Sequence, residues 1–363
     1  MSVASTFDSL SPAEQQIILD SPSIAPPPGV VPDFVNPPNG NACAHAIIAV
    51  CLFLTICSAT LRAYSRLRRL KRVWADDYIG LAAFGNFIGF IWVSYLLMTK
   101  VGYLVHQWNF RVRDTITVLY VIHLSNAFYC VTVALIKTAI LREWGRIFVP
   151  GPTRTPFWWT CHALIFLNVS YYVARLFFEI LVCSPQQSSI AEFLPGSVCL
   201  AQSWEVKDIV TSALNLVSDL IILLVSQRII WRLQIPLRRK VGVSLVFLIG
   251  ILGFVCTVIQ LYTTLGWYSG YDETYAGSML ILTRVPEVTC MFLAFCIPAA
   301  PSVFRDSNLA KRVSTIIRSW KAPFAKHRTK GSCHVPSTTT TWLPMSYRRI
   351  DGSTSQFNPG GDE

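Results

Sequence analysis

Charge is scarce in this chain: 14% of its 363 residues are Asp, Glu, Lys or Arg, while 52% are hydrophobic and the mean hydropathy is +0.45. Soluble domains carry about 25% charged residues, so the shortage excludes an ordinary water-soluble globule and makes lipid the natural solvent. Residues 1–42 contain no Lys or Arg and no apolar core ahead of Cys43. No cleavable leader is expected from this segment, and the first apolar stretch is predicted to serve as its own insertion signal. The 11 cysteines include no CxxC pair and no Cys/His cluster at ligand spacing, which argues against a metal site. No nucleotide loop, hydrolase elbow or zinc helix is present either, so no catalytic residue, metal or cofactor is assigned.

What the chain does have is apolar length. Seven stretches, at about 43–63, 78–99, 117–141, 158–182, 207–230, 241–265 and 276–300, are long enough to cross ~30 Å of hydrocarbon, which takes about 20 helical residues. They are continuous rather than alternating, and only helices satisfy their own backbone in lipid. The expected fold is therefore all-α: a seven-transmembrane helix bundle over 43–302. The formal charge of +11 is spread in short clusters between these runs, the pattern of membrane topology rather than of a nucleic-acid face. One set of connections carries 24 of the 31 Lys and Arg, the other carries 4. The positive-inside rule then puts the N-terminus outside and the C-terminus in the cytoplasm.

The ends are accessory. Residues 1–42 read as an extracellular segment with a short helix opened by Ser11-Pro12-Ala13-Glu14 and a Pro-rich linker. Residues 303–330 read as a basic amphipathic helix on the inner leaflet, with Leu309, Val313, Ile316, Ile317, Trp320 and Phe324 opposite Arg305, Lys311, Arg312, Arg318 and Lys321. Residues 331–363, rich in Ser, Thr, Pro and Gly, read as a disordered cytoplasmic tail.

Six charges fall inside the spans: Glu179, Asp219 and Glu287 against Lys137, Arg175 and Arg284. Each costs at least ~2.5 kcal/mol facing lipid near the centre, so they should pair or face the bundle. Arg175 and Glu179 share one helix face, as do Arg284 and Glu287, and Asn215 and Asp219 share another. Two readings stay open: structural ion pairs that fix helix register, or a ligand pocket or proton path. Lys137, near the end of the third span, reads as a snorkelling anchor. Asp76 and Asp77 open the second span, where they cap the helix and form a cytoplasmic ionic cluster with Arg142, Arg146 or Arg238, Arg239 and Lys240. Cys183 and Cys199, in an outer loop, are expected to form a disulfide. His106 reads as a solvated or packed residue. The sequon at Asn168 lies inside a span and is discounted.

Certain residues resemble a known family. Arg62-Ala63-Tyr64-Ser65-Arg66 precedes Ala75-Asp76-Asp77-Tyr78, and Lys137-Thr138 precedes Arg146-Ile147-Phe148. Cys183-Ser184-Pro185 with Cys199, Asn215 with Asp219, the run Trp231 to Lys240, and Glu287 with Pro298 complete the pattern. Over about 43–305 the chain resembles the fungal rhodopsin-domain integral membrane proteins, a group of filamentous-fungal seven-span proteins that includes pathogenicity-related, receptor-like members. It departs at Ser226-Gln227-Arg228, where prolines are usual, and at Gln260, where arginine is common. Residues 276–300 contain no lysine to carry a retinal Schiff base, so a photoreceptor is not expected. The resemblance implies a receptor-like sensor of a small or apolar ligand, taken by the outer loops and upper bundle. It would sit in a multi-pass plasma-membrane setting and report to a cytoplasmic signalling protein. The alternative is a membrane-embedded, cyclase-like enzyme that uses buried carboxylates on a lipophilic substrate.

Overall fold

The computed structural model describes residues 9–148, 155–181, 203–232, 237–268 and 272–299. Its elements are helices: α1 (Pro12–Asp20), α2 (Asn41–Tyr64), α3 (Ala75–Lys100), α4 (Val112–Phe148), α5 (Pro156–Leu181), α6 (Ser203–Arg232), α7 (Leu237–Tyr268) and α8 (Glu273–Cys296). Among the described residues there is no β-strand, only an isolated bridge between Pro22 and Arg111. Six helices are long and apolar enough to cross a membrane, namely α2, α3, α4, α5, α7 and α8. In α6 the described apolar stretch is shorter, Ile209–Val225. The expected Cys183–Cys199 bridge, the amphipathic helix at 303–330 and the tail at 331–363 lie outside the described residues.

The packing is that of a protein solvated by lipid. Phe53, Leu81, Trp92, Phe166, Phe177 and Tyr262 are exposed, while Arg62, Asp76, Lys137, Glu143, Arg175, Glu179, Arg284 and Glu287 are buried. In water this distribution would waste apolar surface and strand charge, whereas in hydrocarbon it does neither. Several hydroxyls inside the helices are satisfied locally. Thr55 donates to the carbonyl of Cys51, Thr132 to that of Phe128 and Thr138 to that of Ala134, the i−4 back-bond that spares a polar group from lipid.

α4 is the central column. It has 37 residues, about 55 Å at the helical rise, so it overshoots the ~30 Å hydrocarbon and carries polar groups at both ends. It packs against α3, α5 and α8 through Tyr129, Val133, Ile136 and Ile140, with Phe87, Phe90, Val288 and Phe292 in the same apolar core. Two glycines in α3 allow close approach of neighbouring rings. A Cβ on Gly80 would lie 2.4 Å from Phe295, and one on Gly89 would lie 2.5 Å from Phe128. We expect Gly89→Ala to lower stability by about 1–3 kcal/mol through overpacking, read as a fall in melting temperature of the purified protein in detergent. An unchanged melting temperature would mean that Phe128 is free to swing away. α8 contains Pro286, which withholds a backbone donor from the helix one residue before Glu287.

One end of the bundle is covered by the N-terminal segment. Ser11 caps α1 in a capping box with Glu14, whose carboxyl this bonding lowers below its ordinary range. Asp20 pairs with Arg111 at 3.3 Å and Arg113 at 3.0 Å. The Ser23 and Thr115 hydroxyls bond at 3.0 Å. Gly40 N–H donates to the Tyr103 carbonyl, and Tyr103 N–H donates to Asn41 Oδ1. Burial pushes the Tyr103 hydroxyl up to about 12.

Candidate functional site

Three polar constellations punctuate the apolar bundle. The first closes the end where α2 and α4 finish and α3 begins. Arg62 sits at its centre: Nη1 donates to both Glu143 carboxyl oxygens at 3.0 and 2.9 Å, Nε to Asp77 Oδ1 at 3.0 Å, and Nη2 to Asp77 Oδ1 at 2.8 Å and Asp76 Oδ2 at 3.3 Å. Nη1 also reaches the Phe295 carbonyl of α8 at 2.5 Å, and the guanidinium lies 3.6 Å from the centre of the Phe295 ring. Arg66 reaches Glu143 at 2.8 Å and Asp77 at 3.3 Å. Arg146 reaches Asp76 at 2.7 Å and stacks over Trp74. Three arginines thus meet three carboxylates, joining α2, α3, α4 and α8.

Of the residues expected in an ionic cluster, Asp76, Asp77 and Arg146 meet here. Arg142 does not: it is exposed, because the inward face is centred on Glu143, about 100° round the helix. The side chains of Arg238, Arg239 and Lys240 lie outside the described residues. Sequence reasoning noted Arg62 and Arg66 in the motif ahead of Asp76 and Asp77 without assigning them to the cluster, and it missed Glu143. Arg62 and Arg66 were counted as topology signals, and Glu143 lay just past the predicted end of the third span. Their shared signal was spacing, since Arg62 and Arg66 are one turn apart at a helix end.

The second constellation lies mid-bundle. Lys137 is buried, 2% exposed, and does not snorkel as expected. α4 runs on for three more turns, so this lysine is interior and takes internal partners. Its Nζ lies 2.6 Å from Asp219 Oδ1 and donates to Asn215 Oδ1 at 2.8 Å. Asn215 uses its whole amide: Oδ1 also accepts from the Tyr172 hydroxyl at 2.6 Å, while Nδ2 donates to the Tyr129 hydroxyl and to Glu287 Oε1, each at 3.1 Å. Glu287 Oε2 accepts from Tyr129 at 2.8 Å and from Gln260. Thr257 donates to Asp219 Oδ2 at 2.9 Å. Nearer the covered end, Glu179 pairs with His123 at 2.8 Å and Asn126 at 3.0 Å, and Arg284 donates to Asn126. Arg175 and Arg284 flank the Tyr129 ring at 5.8 and 4.6 Å. The structure thus brings Arg175, Glu179, Asn215, Asp219, Arg284 and Glu287 into one neighbourhood spanning α4 to α8. Their reach extends across helices, beyond the same-face pairs that spacing alone suggested. Tyr129, Tyr172 and Thr257 were missed, because tyrosine and threonine in apolar runs raise no charge signal, while Gln260 stood out only as a departure from the family pattern.

The third is at the covered end. The His106 ring is stacked between Trp108 and Tyr275, at 4.3 and 4.7 Å. Its Nδ1 is bonded to Asp272, which also caps α8 and accepts from Gln107 N–H at 3.1 Å. It is a packed and paired residue. No group of three or more metal-ligating side chains occurs among the described residues.

Beside the Lys137–Asp219 pair runs a cleft of about 610 Å³, measured to include its open mouth, between α4, α6, α7 and α8. Its walls are Ile140, Trp144, Ile222, Val246, Phe254 and Met291, and it extends from the pair toward the Arg62 end of the bundle.

Lipid-facing apolar helices around paired internal charge define a multi-pass α-helical membrane protein. The family model described as the fungal rhodopsin domain matches residues 61–306, and the chain belongs to that family. It is 31% identical over 347 residues to fugralins biosynthesis cluster protein 2 of Gibberella zeae, covering 92% of this chain and 84% of that protein. It is 30% identical over 216 residues to a SAT4 family membrane protein of Emericella nidulans, covering 58% of this chain and 54% of that one. No solved structure matches the chain.

Proposed function

We propose that the protein is a receptor-like sensor of a small or apolar ligand, threaded seven times through the plasma membrane with its N-terminus outside. The observation that carries this reading is the continuity from the mid-bundle network to the Arg62 cluster. α4 bears Lys137 and Glu143, α8 bears Glu287 and Phe295, and the cleft lies between them. A ligand that shifts α8 against α4 changes what Arg62 holds. Ligand-driven change needs such a differential contact between two states. The threading draws support from the Lys and Arg asymmetry, with α6 as the remaining span and the Arg62 end cytoplasmic. A cytoplasmic signalling protein would read that end. Because the N-terminal segment covers the opposite end, the ligand's place moves from the outer loops to the bundle interior. One relative's name refers to a biosynthesis cluster, which fits a lipophilic fungal product as the ligand. The cyclase-like alternative is not favoured, since Asp219 is held by a cation and Glu287 by several donors, the opposite of a free proton donor.

The test uses Asp219→Asn and Glu287→Gln in a fungal host, each with an N-terminal tag stained on intact cells to confirm display and orientation. The expected result is loss of a downstream cAMP or kinase response with the metabolite profile unchanged. Accumulation of an uncyclised precursor would instead establish an enzyme, and unchanged behaviour in displayed variants would remove the network from function.

A further inference from the structure

We infer that the cleft between α4, α6, α7 and α8 binds a neutral lipophilic alcohol, with its hydroxyl on Asp219 and its hydrocarbon along the apolar walls. This deepens the receptor reading by naming the ligand's chemistry. The cleft's lining is mostly apolar with a few polar groups at one end, the make-up of small-molecule sites.

The floor decides the headgroup. Lys137 is 2% exposed, and its ammonium is committed to Asp219 and Asn215. Asp219 is 13% exposed; it receives Lys137 on one oxygen and Thr257 on the other. A carboxylate has about four acceptor sites, so the group facing the cleft can still accept and has nothing to give. The occupant must therefore donate. A cationic amine would bring a second positive charge to within a few ångströms of Lys137, and an anion would meet Asp219, so both suffer like-charge repulsion. A hydroxyl donates without either penalty.

The walls decide the rest. Ile140, Ile222, Val246, Phe254 and Met291 carry no hydrogen-bonding nitrogen or oxygen, and Trp144 carries only an indole N–H. Gly250 flattens the α7 wall; a Cβ there would meet Leu223 at 3.6 Å, an ordinary contact. The far end of the chain would lie against Ala294 and Trp144, next in sequence to the Phe295 and Glu143 that hold Arg62.

The experiment exposes the purified full-length protein in detergent to dodecanol bearing a chain diazirine and an alkyne, irradiates it and maps the adducts. Labelling is expected on 246–254 or 290–294, displaced by dodecanol about tenfold better than by dodecyl methyl ether, dodecanoate or dodecylamine, the worth of one hydrogen bond to a charged acceptor. Gly250→Leu, which fills the cleft without touching Lys137 or Asp219, should lower labelling at least about tenfold at an unchanged melting temperature. If that variant melts early, Ile222→Trp tests the opposite wall in the same way. Adducts scattered over lipid-facing Phe166 and Phe177, equal displacement by the ether, or undiminished labelling of a stable filled variant would overturn the inference. Occupancy is read without signalling. Specific labelling with no host response would therefore sink the receptor reading alone, and a host response without specific labelling would sink this inference alone.

Discussion

Arg62→Met is expected to be among the most damaging single changes in the protein, costing about 3–5 kcal/mol. Arg62 touches Asp76, Asp77, Glu143, the Phe295 carbonyl and the Phe295 ring. Its loss leaves three carboxylates facing Arg66 and Arg146 alone, one of them, Glu143, 1% exposed. Removing one partner strands the others in a dry site, and the stranded charge costs more than the pair was worth. Thermal denaturation in detergent should show a fall of about 10 °C or more. Adding Glu143→Met restores neutrality and should recover much of the loss, a coupling of at least about 2 kcal/mol in a double-mutant cycle. Simple additivity of the two changes would show that Arg62 acts through packing on Phe295 instead.

The second large effect belongs to Lys137. Replacing it with Met leaves Asp219 without its ion-pair partner and removes a donor from Asn215. Asn215 is the node through which Tyr172, Tyr129 and Glu287 are held, so the whole mid-bundle network loosens. We expect a loss of about 3–5 kcal/mol for Lys137→Met, and recovery of most of it in the Lys137→Met, Asp219→Asn pair, which is again neutral. The melting curve of the double variant decides: one no more stable than Lys137→Met would mean that the lysine's bond to Asn215, rather than its charge pairing, holds the network.

The fold was legible because hydrocarbon imposes a coarse rule. A helix that must cross it writes an unbroken apolar run, and the runs ending near Tyr64, beginning near Ala75 and ending near Cys296 each appear as such in the chain. The ends of helices were less legible. α4 continues past residue 141 because Glu143, Trp144 and Arg146 find partners inside the bundle, and hydropathy counts only their cost in lipid. The same blind spot explains Lys137. From one dimension a lysine near a predicted boundary reads as snorkelling, and only the crossing of α4 by α6 reveals that Asp219 lies 2.6 Å away. Charged members of the site were found by being expensive. Tyr129 and Tyr172 escaped because they are cheap to leave unremarked in an apolar run, yet Tyr129 donates to Glu287 and Tyr172 to the Asn215 that also donates to it.

The evenness of the two buried clusters has an electrical consequence. Counted by formal charge, Arg62, Arg66 and Arg146 balance Asp76, Asp77 and Glu143, and Lys137, Arg175 and Arg284 balance Glu179, Asp219 and Glu287. A transmembrane voltage does work of about 2.3 kcal/mol per elementary charge per 100 mV, and on a group of zero net charge carried along as a body it does none. Helix movements that keep these partners together are therefore silent to whatever voltage stands across the membrane that holds the chain.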